Sequence, residues 1–358
     1  MAHSIPTRKA LHLDVCVNED VGFNGHGTLL DEVHLEHNAV PELEWHDLET
    51  SITLLGKSLR APLIIGAMSG GTAEAGAMNA VLAEIAEELG IGFALGSQKA
   101  MAKDSTLADT FAVRRHAPTT LLLANVGAVY ARQIGVEATR SLAAQVGADA
   151  IQLHLNAAME LVQGQGDRNF RGVLDTLRAV QSAELPVVAK ETGSGLGGSA
   201  ARALHAHGVR HVDVSGAGGT SWTAVESKLA EHLGDEESRL VGETFRNWGV
   251  PTAASIVHTA CVGFDTVIAT GGIQTGLDVA RALALGANTA SIARPVLVAY
   301  REGGAAAARN YLQRVLRELR MAMMLTASPT VAHLRVCPSV LGPELRRWTE
   351  TADPHATR

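Results

Sequence analysis

Eight short apolar runs constrain how this chain can fold. They cover residues 63–68, 91–95, 119–125, 150–156, 186–191, 211–215, 266–270 and 289–293. Each has the length and the apolar, β-type content of a buried strand. Between most of them lie Ala- and Leu-rich stretches with helical spacing, as at 78–89, 135–146, 172–182, 199–207 and 277–285. Strands that alternate with helices predict a parallel α/β architecture. Eight is also the number of strands that closes a barrel. No Pro/Gly/Ser-rich linker interrupts the rhythm. The expected fold is therefore one (β/α)8 TIM barrel at 61–345, with an N-terminal arm at 1–60 packing on it and a polar C-terminal tail at 346–358.

A barrel of this type carries its chemistry at the C-terminal ends of its strands. Here those ends are polar and glycine-rich. The first runs into Ala67-Met68-Ser69-Gly70-Gly71-Thr72, the second into Gly96-Ser97-Gln98-Lys99, and the third into Ala124-Asn125. The fifth ends Lys190-Glu191, and the sixth opens onto Gly218-Gly219-Thr220-Ser221-Trp222. The seventh ends Thr270-Gly271-Gly272-Ile273 and the eighth Ala293-Arg294-Pro295. The 36 glycines cluster at these ends, which suggests close backbone approach to a ligand. After strands seven and eight, the turns opening onto 276–284 and 295–300 offer backbone N–H groups at helix N-termini, which is a phosphate site. Lys190 lies inside a buried strand and needs a partner there: an electron-rich cofactor ring edge, or a salt bridge across the barrel interior.

The stretch from Asp149 to Phe170 is the most informative. Ile151, Leu153 and Leu155 alternate with Gln152, His154 and Asn156, and Glu160 follows four residues after Asn156. An imidazole, an amide and an acid thus meet where a strand becomes a loop. The polar opening of the chain, with Arg8, Lys9 and His12, reads either as a solvated arm or as an anion-binding arm that folds over a site. The long charged excursion at 216–250 reads as a lid or a subunit contact, and the stretch 306–324 as the last barrel helix.

Composition narrows the function. The net charge of −7 argues against bulk nucleic-acid binding. Cys16, Cys261 and Cys337 are too few and too scattered for a disulfide framework or a zinc site. No apolar run is long enough to span a membrane, so a cytoplasmic protein is expected.

Taken together, these motifs resemble the type 2, FMN-dependent isopentenyl-diphosphate isomerases over roughly residues 8–345. The likeness includes His154-Leu155-Asn156, Gly166-Asp167-Arg168-Asn169-Phe170 and Trp248-Gly249-Val250-Pro251-Thr252 besides the strand ends above. It implies that FMN contacts Ala67, Met68, Ser69, Ser97, Asn125, Lys190, Thr220 and Ser221, with its phosphate on Gly271, Gly272, Ala293 and Arg294. It also implies that Arg8, Lys9, His12, Lys99, His154 and Asn156 hold a prenyl diphosphate, and that Glu160 holds Mg²⁺. Lys190, His154 and Met159 fall at the catalytic positions. The implied reaction moves a double bond through reduced FMN without net redox, with NAD(P)H as reductant, in a homo-oligomer of four or eight chains.

Four residues depart from the family pattern. Met159 stands where the family has Gln, and a thioether cannot relay a proton. Lys99 replaces Arg and loses the bidentate fork. Leu11 replaces an acid, and Gln274 a basic residue. Three readings stay open: an isopentenyl-diphosphate isomerase, a flavin-dependent isomerase or cyclase for a longer prenyl diphosphate with Met159 as apolar lining, and an FMN-binding protein without isomerase activity. An α-hydroxy-acid type oxidoreductase would want a strand-end His-x-x-Arg pair, for which there is no good candidate.

Overall fold

The computed structural model describes residues 5–25, 27–182 and 184–350, with side chains from Leu11 onward. Eight parallel strands close into a barrel in strict chain order. They are β1 (Leu63–Ile65), β2 (Gly92–Ala94), β3 (Leu122–Gly127), β4 (Ala150–Leu155), β5 (Val187–Glu191), β6 (His211–Asp213), β7 (Thr266–Thr270) and β8 (Thr289–Ile292). β8 closes onto β1 with Ala290 opposite Leu63. Every expected strand is present. β3 starts later than the apolar run because the amides of Thr119 and Thr120 donate to Glu87 Oε2, at 3.1 and 2.9 Å, instead of to a ladder.

The helices follow the expected rhythm. They run α1 (Ile5–Asn18), α2 (Ala73–Leu89), α3 (Lys99–Lys103), α4 (Ala128–Ile134), α5 (Val136–Gln145), α6 (Ala157–Val162) and α7 (Val173–Val180). Then come α8 (Gly198–Ala206), α9 (Trp222–Leu233), α10 (Glu236–Thr244), α11 (Thr252–Val262), α12 (Gly276–Ala284) and α13 (Arg294–Leu325). The helical run of α13 is interrupted at Gly303 and Gly304, whose backbone is non-helical. The excursion at 216–250 is the α9–α10 pair. The helix Pro343–Glu350 crosses the expected start of the polar tail, and its Leu345 is buried.

The alternation of side chains along each strand builds two cores. Outward residues such as Leu63, Phe93, Ile151, Leu153 and Val187 pack against the helix layer, with Leu82, Leu142 and Leu177 facing them. The inward cluster is small: Ile64, Ala94, Leu121, Leu123, Ala150, Val188 and Ile268, together with Leu54 and Leu59. Those last two come from an antiparallel pair, Ile52–Leu54 with Lys57–Leu59, in the N-terminal region. That hairpin plugs the lower barrel. Two residues further along the same inward faces, Leu123 gives way to Asn125, Ala150 to Gln152 and Val188 to Lys190. The barrel interior is thus apolar below and polar above. No helix among the described residues is long and apolar enough to cross a membrane.

Glu191, the last residue of β5, is buried, and its carboxylate accepts the amides of Ser194 and Gly195 at 2.5 and 2.9 Å. Burial pushes its pKa up to about 8, opposed by those amides and by Lys190.

Two outcomes follow from this packing. Leu59→Ala removes a fully buried plug residue and should cost about 2–4 kcal/mol in urea unfolding; a loss below about 1 kcal/mol would show that the hairpin is not part of the core. A carboxyl with a raised folded pKa contributes stability that is complete below its unfolded pKa and is lost as pH rises toward about 8. Glu191→Gln should therefore flatten the decline in melting temperature across that window, and an unchanged slope would exclude Glu191 as its source.

Candidate active site

The polar upper layer is one connected network. Lys190 Nζ lies 3.2 Å from Asp213 Oδ2, with side-chain exposures of 10% and 1%. The same oxygen accepts Gln152 Nε2 at 3.0 Å. Gln152 Oε1 accepts Asn125 Nδ2 at 3.1 Å, and Asn125 Oδ1 meets His154 Nδ1 at 2.8 Å. Because Asp213 Oδ2 accepts from both Lys190 and Gln152, the polarity of every later link is set. Gln152 must present its oxygen to Asn125, and Asn125 its oxygen to His154. His154 therefore carries a proton on Nδ1. Burial raises the pKa of Asp213, and the Lys190 ammonium opposes that rise. Lys190 closes a buried salt bridge, and it also lines the cavity above.

That cavity, of about 1410 Å³, opens at the C-terminal face of the barrel. Ala67, Met68 and Ser69 line it from beyond β1, Ser97 and Lys99 from beyond β2, and Asn125 from β3. Lys99 Nζ sits 5.3 Å from the centroid of the Tyr130 ring. Thr220, Gly271, Gly272, Ala293 and Arg294 line the opposite side. Here the loops interlock: a Cβ on Gly219 would stand 2.3 Å from the backbone nitrogen of Gly272. Only glycine permits that approach, which brings the backbones of both loops together on the cavity wall. The buried Thr192 hydroxyl, also on the cavity, has no hydrogen-bond partner. An orphaned hydroxyl, a glycine cradle and a fixed ammonium together suit a phosphorylated, electron-rich cofactor such as FMN.

The remaining wall comes from α6 and α1. Asn156 Nδ2 donates to Glu160 Oε1 at 2.8 Å, and the Asp167 amide donates to Oε2 at 2.8 Å. A Cβ on Gly166 would sit 2.0 Å from the Glu160 carbonyl oxygen, so the turn that wraps this acid requires glycine. Met159 lines the same wall, its sulfur 4.0 Å from Asn156 Nδ2. From α1, His12 reaches the cavity, and its Nε2 meets Glu226 Oε1 at 3.1 Å. The His12 ring stands edge-on to Trp222, 5.7 Å between centroids. Arg8 and Lys9 lie in α1, but their side chains fall outside the described residues.

Three of the expected ligand positions have partners within the protein. Ser221 is buried and does not line the cavity; its hydroxyl caps α9 by accepting the Ala224 amide at 3.3 Å and donates to the Arg246 carbonyl at 2.7 Å. The N-terminus of α12 is already filled: the Gly276 amide donates to Glu318 Oε2 at 2.7 Å, and a Thr275–Asp278 capping box closes the turn. A protein carboxylate occupies what the sequence offered as a phosphate seat. Arg294 lines the cavity, but its guanidinium donates to the Cys16 and Glu19 carbonyls at 2.7 and 3.4 Å.

Sequence reasoning missed Asp213, Gln152, Glu226, Gln163 and Lys103. Asp213 was legible, since it is the charged residue inside the strand next to Lys190. Glu226 carried no signal: it lies within α9, is 3% exposed, and accepts Gln163 Nε2 at 3.0 Å as well as meeting His12. Ser215, also on the cavity, adopts φ 37°, a left-handed backbone that lets its carbonyl accept both Gly193 and Gly195.

Residues 131–337 match the profile of the FMN-dependent dehydrogenases. The chain is 41% identical to the isopentenyl-diphosphate delta-isomerase of Ignicoccus hospitalis, covering 95% of each chain. It is 40% identical to that of a Nostoc species, covering 92% of this chain and 94% of the relative. Among solved structures, mandelate oxidase with (S)-2-phenylpropionate superposes with a TM-score of 0.64 at 18% identity, over 96% of this chain and 99% of that one. Mandelate oxidase with (S)-4-hydroxymandelic acid gives 0.64 at 18% identity, over 93% and 95%. At that identity the structural likeness speaks for the fold alone, whereas the sequence likeness spans the whole site. The chain belongs to the isopentenyl-diphosphate delta-isomerase family, within the FMN-dependent dehydrogenase barrels.

Proposed function

We propose that this protein is an FMN-dependent isomerase that converts isopentenyl diphosphate to dimethylallyl diphosphate. The observation that carries the reading is the buried chain Lys190–Asp213–Gln152–Asn125–His154, which ties a fixed ammonium to an imidazole across one cavity. Relatives at about 40% identity that bear this name support it, and they do not favour a longer prenyl diphosphate.

FMN would rest on Ala67, Met68, Ser69, Ser97, Asn125, Lys190 and Thr220, with its phosphate at the Gly271-Gly272 and Ala293-Arg294 backbone. Reduced FMN supplies acid/base chemistry for moving the double bond with no net redox, NAD(P)H being the proposed reductant. Lys190 places a positive charge where an electron-rich ring needs compensation, and Asp213 holds that charge in position. On the substrate side, His12, Lys99, His154 and Asn156, with Arg8 and Lys9 from the arm, would hold the diphosphate. Glu160 would hold Mg²⁺. In support, among the described residues the only cluster of three metal-capable side chains is the exposed Glu44, His46 and Asp47. Glu160 therefore lacks the neighbours for an all-protein site, which suits an ion completed by substrate phosphates and water. Met159 contributes apolar lining and no proton. The expected homo-oligomeric state rests on the family resemblance, and the cytoplasmic setting on the lack of a membrane-spanning run in the sequence.

The test is turnover. FMN-loaded protein, reduced anaerobically and given Mg²⁺ and isopentenyl diphosphate in D2O, should form dimethylallyl diphosphate carrying deuterium. FMN bound with neither product nor deuterium would reject the reading. In the same assay EDTA should abolish turnover and excess Mg²⁺ restore it; turnover indifferent to EDTA would remove Glu160 from the metal role.

A further inference from the structure

Arg294 stands at the junction of two parts of the site. Its backbone follows β8, at the proposed phosphate end of the cavity. Its side chain turns toward α1, with Nε on the Cys16 carbonyl at 2.7 Å and Nη2 on the Glu19 carbonyl at 3.4 Å. Carbonyls at the last turn of a helix lack intrahelical partners, and a cation there also complements the helix dipole. A second arginine grips the next residues. Arg246 is buried, and it donates to the Gly22 and Asp20 carbonyls at 2.9 and 3.1 Å while pairing with the Asp20 carboxylate at 2.8 Å. The Ser221 amide adds a bond to the Val21 carbonyl at 2.8 Å. Residues 16–22 are thus clamped from the β8 side and from the α10 side. One turn upstream on the same helix, His12 enters the cavity.

We propose that Arg294 is a positioning residue whose guanidinium latches the N-terminal arm across the cavity, rather than a ligand of the cofactor phosphate. With its backbone at the cofactor end and its side chain on the arm, Arg294 links the seating of the cofactor to closure over the substrate. Arg246 completes the latch. What the closed arm does for turnover rests on the isomerase reading; whether Arg294 holds the arm does not.

Three measurements on the FMN-loaded enzyme test this, using Arg294→Ala and Arg294→Lys: FMN affinity by fluorescence quenching, amide hydrogen exchange over residues 11–22, and the KM and kcat for isopentenyl diphosphate. Losing two charge-assisted hydrogen bonds should speed exchange over 11–22 about tenfold or more and raise KM about tenfold or more, the loss falling on KM rather than kcat. FMN affinity should hold within about threefold, and Arg294→Lys should recover part of the KM, since it keeps the charge but not the fork. An FMN affinity that falls about tenfold while exchange stays unchanged would overturn the proposal and return the guanidinium to the phosphate. If Arg294→Ala does not fold, Arg294→Lys and Arg246→Lys decide the matter by exchange, and protection equal to the parent in both would overturn it. Absence of turnover in the parent enzyme would sink the isomerase reading alone, leaving FMN affinity and exchange to judge the latch.

Discussion

The ion pair between Lys190 and Asp213 is the constraint on which the site depends. A lone ammonium inside a barrel is costly, and so is a lone carboxylate; together, and hydrogen-bonded onward, they can be held. The pairing joins adjacent strands in register, since Lys190 lies directly opposite Asp213. Their shared oxygen orients Gln152, which orients Asn125, which fixes the proton of His154. Five side chains from four strands thus behave as one unit, and the chemistry above them inherits a single electrostatic arrangement.

This arrangement is possible because the barrel changes character along its axis. Inward residues are apolar in the lower half and polar in the upper, with the switch made over one step of two residues in β3, β4 and β5. The apolar half packs without polar side chains, and the polar half links its side chains laterally from strand to strand. The glycine loops above then bring backbone amides close to the cavity where side chains would have kept them apart. The arm supplies the wall that the barrel lacks.

Much of this was legible in the sequence because it follows from periodicity. Strand runs, the helical spacing between them and the polar strand ends located the barrel and many of the cavity-lining residues, including Lys190 and His154. What escaped depended on where side chains turn after the backbone is placed. Ser221 looked like a ligand and is a helix cap; Arg294, expected beside the cofactor phosphate, turns its guanidinium to a helix end. The amides opening α12 looked available, but Asp278 accepts those of Gln274 and Thr275, and Glu318, some forty residues later in the chain, accepts that of Gly276. Such competition between distant groups leaves no local pattern. Glu226 was hidden because a buried acid on an amphipathic helix reads as a solvated one until its partners, His12 and Gln163, are known.

The plug hairpin adds one more consequence. Leu54 and Leu59 complete the lower core, while α1, earlier in the same region, closes the upper cavity. The described residues ahead of β1 therefore belong to both ends of a barrel whose strands all follow them in the chain. During synthesis this segment precedes the strands it packs on, so its contacts are among the most distant in sequence, the kind that carries the largest loop-closure cost. A barrel cut free of it would be open below and unroofed above. The segment that looks like an appendage in the linear chain completes both ends of the folded one.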